Sequence, residues 1–254
     1  MIQKNKIIPE NPRIGVVLGT YAAAPYVHLF LESAKRNFPH IPIMILDDGS
    51  PDFPYIIEHT KNYNAEFVCN SVRLGHNFGD LNVHFFALVW GKNKNFDIVV
   101  KFSRRLLPLY DWTKDLAKTA YETQYATYTN GEESLGFRTE CIAYHVNSWF
   151  DSGLVKGLTK DYYEHVGSHL VESHIHNLAR ELQKIACDHN AAYVEKNPKS
   201  IYLNAYGDWD LIEPQRTKKT SKVLWHHCNN PEDYLAVSEK YELPYKINDF
   251  KNVV

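Results

Sequence analysis

The stretch IPIMILDDGSPD, residues 41–52, sets an apolar run directly before two aspartates. Residues 43–46 form that run, and the turn-forming residues around it are typical of the ends of a buried strand. Asp47 and Asp48 would then lie at the carboxyl end of the strand, the edge where open α/β sheets bind ligands. Their carboxylates could accept hydrogen bonds from ribose hydroxyls or from a base N–H. Alternatively, Asp47 caps the turn and Asp48 is solvated.

The composition is that of one globular domain, residues 1–254. The 254 residues are 44% hydrophobic, which is enough for one substantial core. The net charge of −2 provides no basic field for nucleic acid, and no apolar run approaches the ~20 residues of a membrane span. The first 13 residues lack the apolar core of a signal peptide. Four scattered cysteines without a C-x-x-C pair are typical of free thiols in a reducing cytoplasm.

Strand-like and helix-like segments alternate along the first half of the chain. Short apolar runs predict strands at 14–18, 43–46, 66–69 and 97–102. Helical periodicity predicts helices at 25–38, at 52–63 with Asp52 as its cap, and at 80–90. The fold class that follows is α/β, with a mostly parallel, doubly wound sheet flanked by helices.

For the second half of the chain, the sequence predicts helices mixed with short strands. The expected elements are a helix at 111–124, a strand at 138–146, a long helix at 162–188, strand segments at 192–195, 201–204 and 223–227, and a last helix at 231–241. The long helix would align His165, His169, Glu172 and His176 along one polar stripe, which is either solvated or able to bind a metal.

Polar residues follow several of the predicted strands at the same edge of the sheet. Thr20 and Tyr21 follow the first strand, and Asp47 and Asp48 follow the second. The segment Ser103-Arg104-Arg105 follows the strand at 97–102, and the loop at 73–80 follows the third strand. Together these groups predict a crevice that binds a nucleotide.

In these residues the chain resembles the family-2 type of glycosyltransferase, which has the GT-A fold. The matching segments are residues 16–21, ILDDGS at 45–50, RLGHNFGDLN at 73–82 and FDIVVKF at 96–102. The resemblance implies a single GT-A domain with a nucleotide-sugar-binding half at 13–105 and an acceptor-side half at 106–254. It also implies a donor such as a UDP-linked or another nucleoside diphosphate-linked sugar, and inversion at the anomeric carbon. The expected acceptor is a hydroxyl of a glycan or lipid-linked glycan, in the cytoplasm, either free or in peripheral contact with a membrane.

One departure from the family concerns the metal. After this strand the family has an acidic D-x-D-like motif that holds a divalent cation, whereas this chain has Phe102-Ser103-Arg104-Arg105. Carboxylates are the ligands that Mg²⁺ and Mn²⁺ require. Either Arg104 and Arg105 replace the cation, so that no metal cofactor is needed, or catalysis has been lost.

The candidate site residues follow from this reading. Thr20, Asp47 and Asp48 are expected at the nucleoside, and Lys101, Arg104 and Arg105 at the diphosphate. Further substrate-binding candidates are Tyr21, Ser50, Arg73, Asp80, Ser103 and His226, the last with His227 as its alternative. Glu172 is the candidate general base, with Glu140 and Asp151 as alternatives, because a base needs hydrogen-bond reach to the acceptor hydroxyl.

Two other functions compete with this interpretation. A non-catalytic protein of the same fold, which binds a nucleotide or glycan or scaffolds glycan assembly, would explain the missing acidic motif. A sugar nucleotidyltransferase would need a glycine-rich loop with a basic residue after the first strand. The segment GTYAAAPY, residues 19–26, lacks the additional glycines and the basic residue.

Overall fold

The fold was obtained as a computed structural model that describes residues 9, 11–104, 106–113, 120, 125–127, 139–167, 170–187, 223–225 and 229–251. Its strands are β1 (Ile14–Thr20), β2 (Ile43–Asp47), β3 (Glu66–Cys69), β4 (Ile98–Ser103), β5 (Leu106–Pro108), β6 (Tyr125–Thr127), β7 (Cys141–His145) and β8 (Val223–Trp225). Its α-helices are α1 (Ala24–Asn37), α2 (Phe53–Asn62), α3 (Gly75–Asn93), α4 (Val146–Asp151), α5 (Lys160–His165), α6 (Val171–Cys187) and α7 (Pro231–Lys240). Short 3₁₀ helices cover Leu154–Leu158 and Ile247–Phe250.

The central sheet confirms the predicted fold class. Its strand order is β3-β2-β1-β4-β7-β6. The four strands from the first half of the chain run parallel, whereas β7 pairs antiparallel with both β4 and β6. The chain first builds the sheet from β1 towards β3 and then crosses through α3 to place β4 on the other side of β1. This reversal creates a topological switch point between β1 and β4.

Helices cover both faces of the sheet, as expected for a parallel sheet with apolar strands. Val16 and Leu18 of β1 face the side that carries α1 and the C-terminal residues 231–250. Val17 faces the opposite side, where α3 and α6 pack. Because successive strand residues point to opposite faces, the continuous apolar run of β1 fills both cores.

Several predicted boundaries change in the structure. The helix expected at 162–188 is interrupted, because α5 ends at His165, Gly167 adopts a left-handed conformation (φ 64°) and α6 begins at Val171. The helix expected at 80–90 is longer, since α3 already begins at Gly75. The strand segments predicted at 192–195 and 201–204, and most of the helix at 111–124, lie outside the described residues.

Close packing of α3 on β1 depends on Gly19, one residue before the end of β1. A Cβ atom at Gly19 would lie 2.7 Å from Cγ2 of Val83 on α3. No ordinary Cβ contact is that short, so the helix can approach the strand only because the side chain is absent.

We expect Gly19→Ala to lower the free energy of unfolding by about 1–3 kcal/mol, the usual range for overpacking a core. Urea denaturation measures this change. The double variant Gly19→Ala/Val83→Ala provides the control, because removal of the valine methyls makes room for the new Cβ. The substitution at Gly19 should therefore cost at least about 0.5 kcal/mol less in the Val83→Ala background. Equal costs in both backgrounds would contradict the proposed contact.

Candidate functional site

The polar ends of three strands meet at the switch point. In the sheet register Thr20 pairs with Asp47, and Gly19 pairs with Ser103. The backbone N–H of Arg104 donates to the carbonyl of Gly19 (3.0 Å). The structure therefore brings together the groups that the sequence places after β1, β2 and β4.

Asp47 is fully buried and organises the turn after β2. Its Oδ2 accepts a hydrogen bond from the backbone N–H of Ser50 (2.7 Å), and its Oδ1 accepts one from the Ser50 hydroxyl. The Ser50 oxygen in turn accepts the N–H of Ala22 (2.7 Å), a residue with positive φ in the turn after β1. Asp47 thus caps its own turn and, through Ser50, joins it to the neighbouring one. A direct contact between Asp47 and a nucleoside stays a prediction.

Asp48 binds the start of α3. Its Oδ1 accepts hydrogen bonds from the N–H of Leu74 and from the Asn70 side chain (2.9 Å each), and its Oδ2 accepts one from the N–H of Gly75 (3.0 Å). A carboxylate in this position satisfies N–H groups of the first helical turn and complements the helix dipole. The alternative of a solvated Asp48 is wrong, because the residue is only 8% exposed. Its direct contact with a nucleoside stays a prediction.

Asp52 caps a different helix from the one expected. It precedes α2 but makes no side-chain capping bond there. Its Oδ2 instead accepts the N–H of Ala24, the first residue of α1 (2.9 Å). Two helix N-termini at this edge, those of α1 and α3, therefore already bind carboxylates of the chain.

The Thr20 hydroxyl lies at the switch point without a hydrogen-bond partner among the described residues. Thr20 is 5% exposed, and its Oγ1 atom is buried. Buried polar atoms in folded proteins almost always have a protein or water partner. The unpaired hydroxyl is a candidate contact for a ligand or a water at this edge.

Arg73 and Tyr21 meet at the rim of the same edge. The Arg73 guanidinium carbon lies 3.8 Å from the centroid of the Tyr21 ring, in a cation–π contact. Such contacts contribute about 0.5–1 kcal/mol when exposed. The loop after β3 is therefore held against the turn after β1. Arg105, His226 and His227 lie outside the described residues.

Lys101 of β4 is fully buried, two residues before Ser103 at the end of the strand. Its ammonium donates to the carboxylate of Asp80, to the Ser103 hydroxyl (3.1 Å) and to the carbonyl of Thr139 (2.7 Å). These bonds use all three of its N–H donors. A direct bond from Lys101 to a diphosphate would require one of them to be given up. In this geometry Lys101 holds the Ser103 side chain by a hydrogen bond, and the Lys101 charge is balanced by Asp80.

His84 extends this buried network towards β7. Its Nε2 lies 3.4 Å from Oδ2 of Asp80, and its Nδ1 is bonded to the Tyr144 hydroxyl (2.7 Å). Burial and the nearby Lys101 charge lower the pKa of His84 to about 4. Burial alone would raise the pKa of Asp80, but Lys101 and His84 hold it well below its usual range. His84 is therefore neutral at pH 7. A Tyr144 hydroxyl that donates to Nδ1 would leave the ring proton on Nε2, on the side of Asp80.

Sequence reasoning did not identify the part that His84, Thr139 and Tyr144 take in this network. The one available signal was the spacing of Asp80 and His84, four residues apart on a helical pattern, which puts both side chains on one face. Thr139 and Tyr144 belong to a distant segment, and their spacing from Lys101 carries no periodic pattern.

The candidates from the second half lie on several elements. Glu172 is half-buried in the first turn of α6, and Asp151 is exposed at the end of α4. The Glu140 carbonyl accepts the N–H of Ser103 (2.7 Å), which brings Glu140 next to the strand end. The expected polar stripe is not continuous, because His165 ends α5 whereas Glu172 and His176 belong to α6. His169 is outside the described part of the chain.

The described residues hold neither a cluster of metal-ligating side chains nor a helix that could span a membrane. They contain no group of three or more His, Cys, Asp or Glu side chains arranged to hold a metal ion. Within the same parts of the chain, no helix combines the length and the apolar character needed to cross a bilayer.

Comparison with solved structures gives partial overlaps at low identity. TarS 1–349 from S. aureus overlaps with a TM-score of 0.43 at 16% identity, over 56% of this chain and 49% of TarS 1–349. The glycosyltransferase GlyE from Streptococcus pneumoniae TIGR4 overlaps with a TM-score of 0.49 at 18% identity, over 76% of this chain and 51% of GlyE. The bifunctional glycosyltransferase WbbM gives 0.43 at 11% identity, over 61% of this chain and 35% of WbbM.

This chain thus spans about half the length of TarS 1–349 and of GlyE. At such identities and TM-scores the overlap describes the course of the backbone and carries no conclusion about activity. No family model matches the sequence, and no curated protein matches it either.

The low pKa of His84 predicts a loss of stability in acid. Because the folded pKa is about 4 and the unfolded pKa is 6.5, the unfolded chain binds the extra proton as the pH falls between these values. At about 1.4 kcal/mol per pKa unit, this group should remove on the order of 3 kcal/mol from the free energy of unfolding between pH 6.5 and 4. Urea denaturation at several pH values should show that His84→Gln loses less free energy of unfolding between pH 6.5 and 4 than the wild type does. His40→Gln, at an exposed position, is the control and should keep the wild-type dependence of stability on pH. If the free energy of unfolding of His84→Gln falls with pH in parallel to wild type, His84 is not the origin of the loss.

Proposed function

We propose that this chain is a glycosyltransferase, which moves a sugar from a nucleoside diphosphate sugar to a hydroxyl of a glycan or lipid-linked glycan. The observation that carries the proposal is the switch point, where the ends of β1, β2 and β4 meet beside the unpaired Thr20 hydroxyl. Ligands of open α/β sheets bind at such a point. The resemblance of ILDDGS and its neighbouring segments to family-2 glycosyltransferases supports the same reading.

The nucleoside is expected beside β1 and β2. Thr20 would bond the nucleoside directly with its free hydroxyl, and Tyr21 would offer an aromatic face. Asp47 and Ser50 would shape the turn beside the nucleoside. Asp47 and Asp48 are the carboxylates proposed to accept a hydrogen bond from a ribose hydroxyl or a base N–H. Asp48 holds residues 70–75 in place, and through that loop it would also position Arg73 over Tyr21.

In this proposal, cationic side chains balance the negative charge of the diphosphate. The N-termini of α1 and α3 already bind Asp52 and Asp48, so they offer little to a phosphate. Lys101 is paired with Asp80 inside the protein. Among the described residues, Arg73 and Arg104 carry guanidinium groups beside the ends of β1 and β4.

We therefore assign the diphosphate to Arg104 and Arg105, with Arg73 at the rim and Ser103 beside them. Two guanidiniums carry the formal charge of one divalent cation, and their planar donors match phosphate oxygens. They would stabilise the nucleoside diphosphate as it departs, without a metal. His226 or His227 would approach the same group from the C-terminal part.

Glu172 is the proposed general base. It would take the proton of the acceptor hydroxyl while that oxygen attacks the anomeric carbon on the face opposite the leaving diphosphate, so that the configuration inverts. General-base catalysis contributes about 10²–10⁴ to the rate. Glu140 and Asp151 remain the alternatives, and the bond between the Glu140 carbonyl and the Ser103 N–H supports Glu140.

One observation favours a second candidate function. The strand end that carries carboxylates in the family carries Ser103 and Arg104 here, and the described residues supply no acidic cluster in its place. A non-catalytic protein that binds a nucleotide or glycan in the same crevice would need no such carboxylates. Turnover of a donor separates the two functions, whereas release of pyrophosphate would indicate a nucleotidyltransferase.

Replacement of Thr20 tests the site without assuming turnover. Thr20→Val removes an unpaired buried hydroxyl, so stability should stay the same or rise by about 1 kcal/mol. Affinity for the nucleoside diphosphate that binds best among UDP, GDP and dTDP, measured by thermal shift with and without EDTA, should fall roughly tenfold with the loss of one ligand hydrogen bond.

Thr60→Val is the matched control for this variant. Thr60 is equally buried, but its hydroxyl donates to the carbonyl of Ile57 (2.8 Å). Its replacement should lower stability by about 1 kcal/mol and leave nucleotide affinity unchanged. Unchanged affinity in Thr20→Val would remove Thr20 from the binding site.

Transfer is expected to continue in EDTA and to depend on Arg104. Removing one fixed donor to transition-state charge costs about 10²–10³ in rate, so Arg104→Ala should lose activity by that order. Arg13→Ala is the control, because Arg13 pairs with Asp97 just before β4, at the opposite end of the strands (3.4 Å). The assay follows release of nucleoside diphosphate and formation of product. Activity that is lost in EDTA and restored by Mn²⁺ would contradict metal independence.

A further inference from the structure

A second cluster of titratable side chains lies where α1 and α2 meet the C-terminal segment, residues 229–251. We refer to His28, His59, Tyr63, Tyr245 and Glu32 as the histidine cluster. The rings of His28 and His59 are stacked with their centroids 4.0 Å apart. His28 and Glu32 belong to α1, His59 to α2 and Tyr63 to its C-cap, whereas Tyr245 comes from the C-terminal segment.

Hydrogen bonds connect the histidine cluster into one chain. Tyr63 donates its hydroxyl proton to Oε2 of Glu32 (2.5 Å), so the Tyr63 oxygen can only accept from Nε2–H of His28 (3.2 Å). Nδ1 of a neutral His28 is then an acceptor, and it takes the hydroxyl proton of Tyr245 (2.8 Å). The Tyr245 oxygen finally accepts from Nε2–H of His59 (3.2 Å). With both histidines neutral, every bond is satisfied when each ring carries its proton on Nε2.

Tyr245 is therefore the bridge between the two histidines and the C-terminal segment. Burial raises the pKa of Tyr245 above its ordinary value, with Asp249 and Glu58 adding to the effect, so Tyr245 remains a hydroxyl donor. The rest of the segment packs on α1 through aromatic rings and one backbone bond. The Tyr26 hydroxyl donates to the carbonyl of Phe250 (2.8 Å), and the Tyr26 ring contacts Tyr234 and Phe250 edge-on at 5.0 and 5.3 Å.

A proton added to His28 disturbs this chain. Nδ1 becomes a donor, so Tyr245 loses its acceptor and must turn towards His59. Nε2 of His59 can accept only if its own proton moves to Nδ1. A second proton would place two imidazolium rings 4.0 Å apart in the same half-buried space. Withdrawal of Tyr245 removes the need for these rearrangements and lets water screen the two charges.

We propose that the histidine cluster makes the docking of the C-terminal segment on α1 and α2 dependent on pH, with the segment closed at neutral pH and loosened as the two histidines take up protons. The proposal is independent of the proposed function, because it uses none of the crevice residues. One connection to the strand ends runs through the helices, since α1 and α2 begin directly after the turns that follow β1 and β2.

The groups around the histidine cluster have opposite effects on the pKa values of its histidines. Burial lowers the pKa of His28, although Glu32 on α1 and Glu58 on α2 act to raise it. Burial and the neighbouring His28 lower the pKa of His59 to about 4. Lys35 and Arg36 of α1 lie over the rings of Tyr63 and Tyr241 and add positive charge, and the C-terminal segment contributes Asp249.

The sign of the effect follows from these directions. Groups with a lowered folded pKa stabilise the docked state above the unperturbed value of 6.5 and lose that contribution as the pH falls towards the folded value. Loosening is therefore expected between about pH 6.5 and 4, a window bounded below by the pKa of His59.

The first test reads the protons directly. Long-range ¹H–¹⁵N spectra of the wild-type protein at pH 7.5 should show both His28 and His59 as the Nε2–H tautomer, and both should titrate below 6.5. Variants His28→Gln and His59→Gln assign the signals. An Nδ1–H tautomer at His28, or titration of both rings at or above 6.5, would overturn the proposal.

The second test measures docking. Amide hydrogen exchange of peptides within 229–251, corrected for the intrinsic pH dependence of exchange, should report an open population that rises by about tenfold or more from pH 7 to 4.5 in the wild type. The double variant His28→Gln/His59→Gln should lose most of this rise. It cannot gain a charge, and the glutamine amide at position 59 can still donate to Tyr245.

His40→Gln, which removes an exposed histidine just after α1, should keep the wild-type pH dependence. If the double variant fails to fold, Tyr245→Phe replaces it, because loss of the bridging hydroxyl separates the histidines from the segment and should reduce the rise in the same way. A pH dependence of exchange that is the same in wild type and in the folded variant would overturn the proposal.

Discussion

Two adjacent buried carboxylates, Asp47 and Asp48, are the constraint on which the ligand edge of the sheet depends. An ionised carboxylate that leaves water needs hydrogen-bond donors in its place. Asp47 obtains them from the turn at Ser50, and Asp48 obtains them from the first N–H groups of α3. Satisfying the pair therefore determines the path of the turn after β2 and the place where α3 begins.

The same requirement shapes the electrostatics of the crevice. Asp48 and Asp52 bind the N-termini of α3 and α1, which are the backbone groups that most often bind phosphate in α/β proteins. Lys101 is neutralised by Asp80 below the sheet edge. Among the described residues, Arg73 and Arg104 are cationic side chains beside the ends of β1 and β4, and this distribution is the physical basis for proposing arginine in place of a metal.

The helices that begin at the crevice also carry the C-terminal segment on their sides. The bond from Tyr26 to Phe250 and the bond from His28 to Tyr245 each join residues more than 200 positions apart in the sequence. The elements that hold the two site turns are thus the elements on which the end of the chain docks.

The sequence by itself determined the parallel half of the sheet, because apolar runs such as 14–18 and 43–46 are long enough to fill two cores and are separated by helical periodicity. It also determined which polar groups share one edge, since the carboxyl ends of parallel strands meet there. Only the tertiary structure decided the partners of the charged groups. Asp52 caps α1 rather than α2, and Lys101 points to Asp80 rather than to the crevice. Both choices depend on donors and acceptors more than 20 residues away, brought close by packing, which no local pattern records.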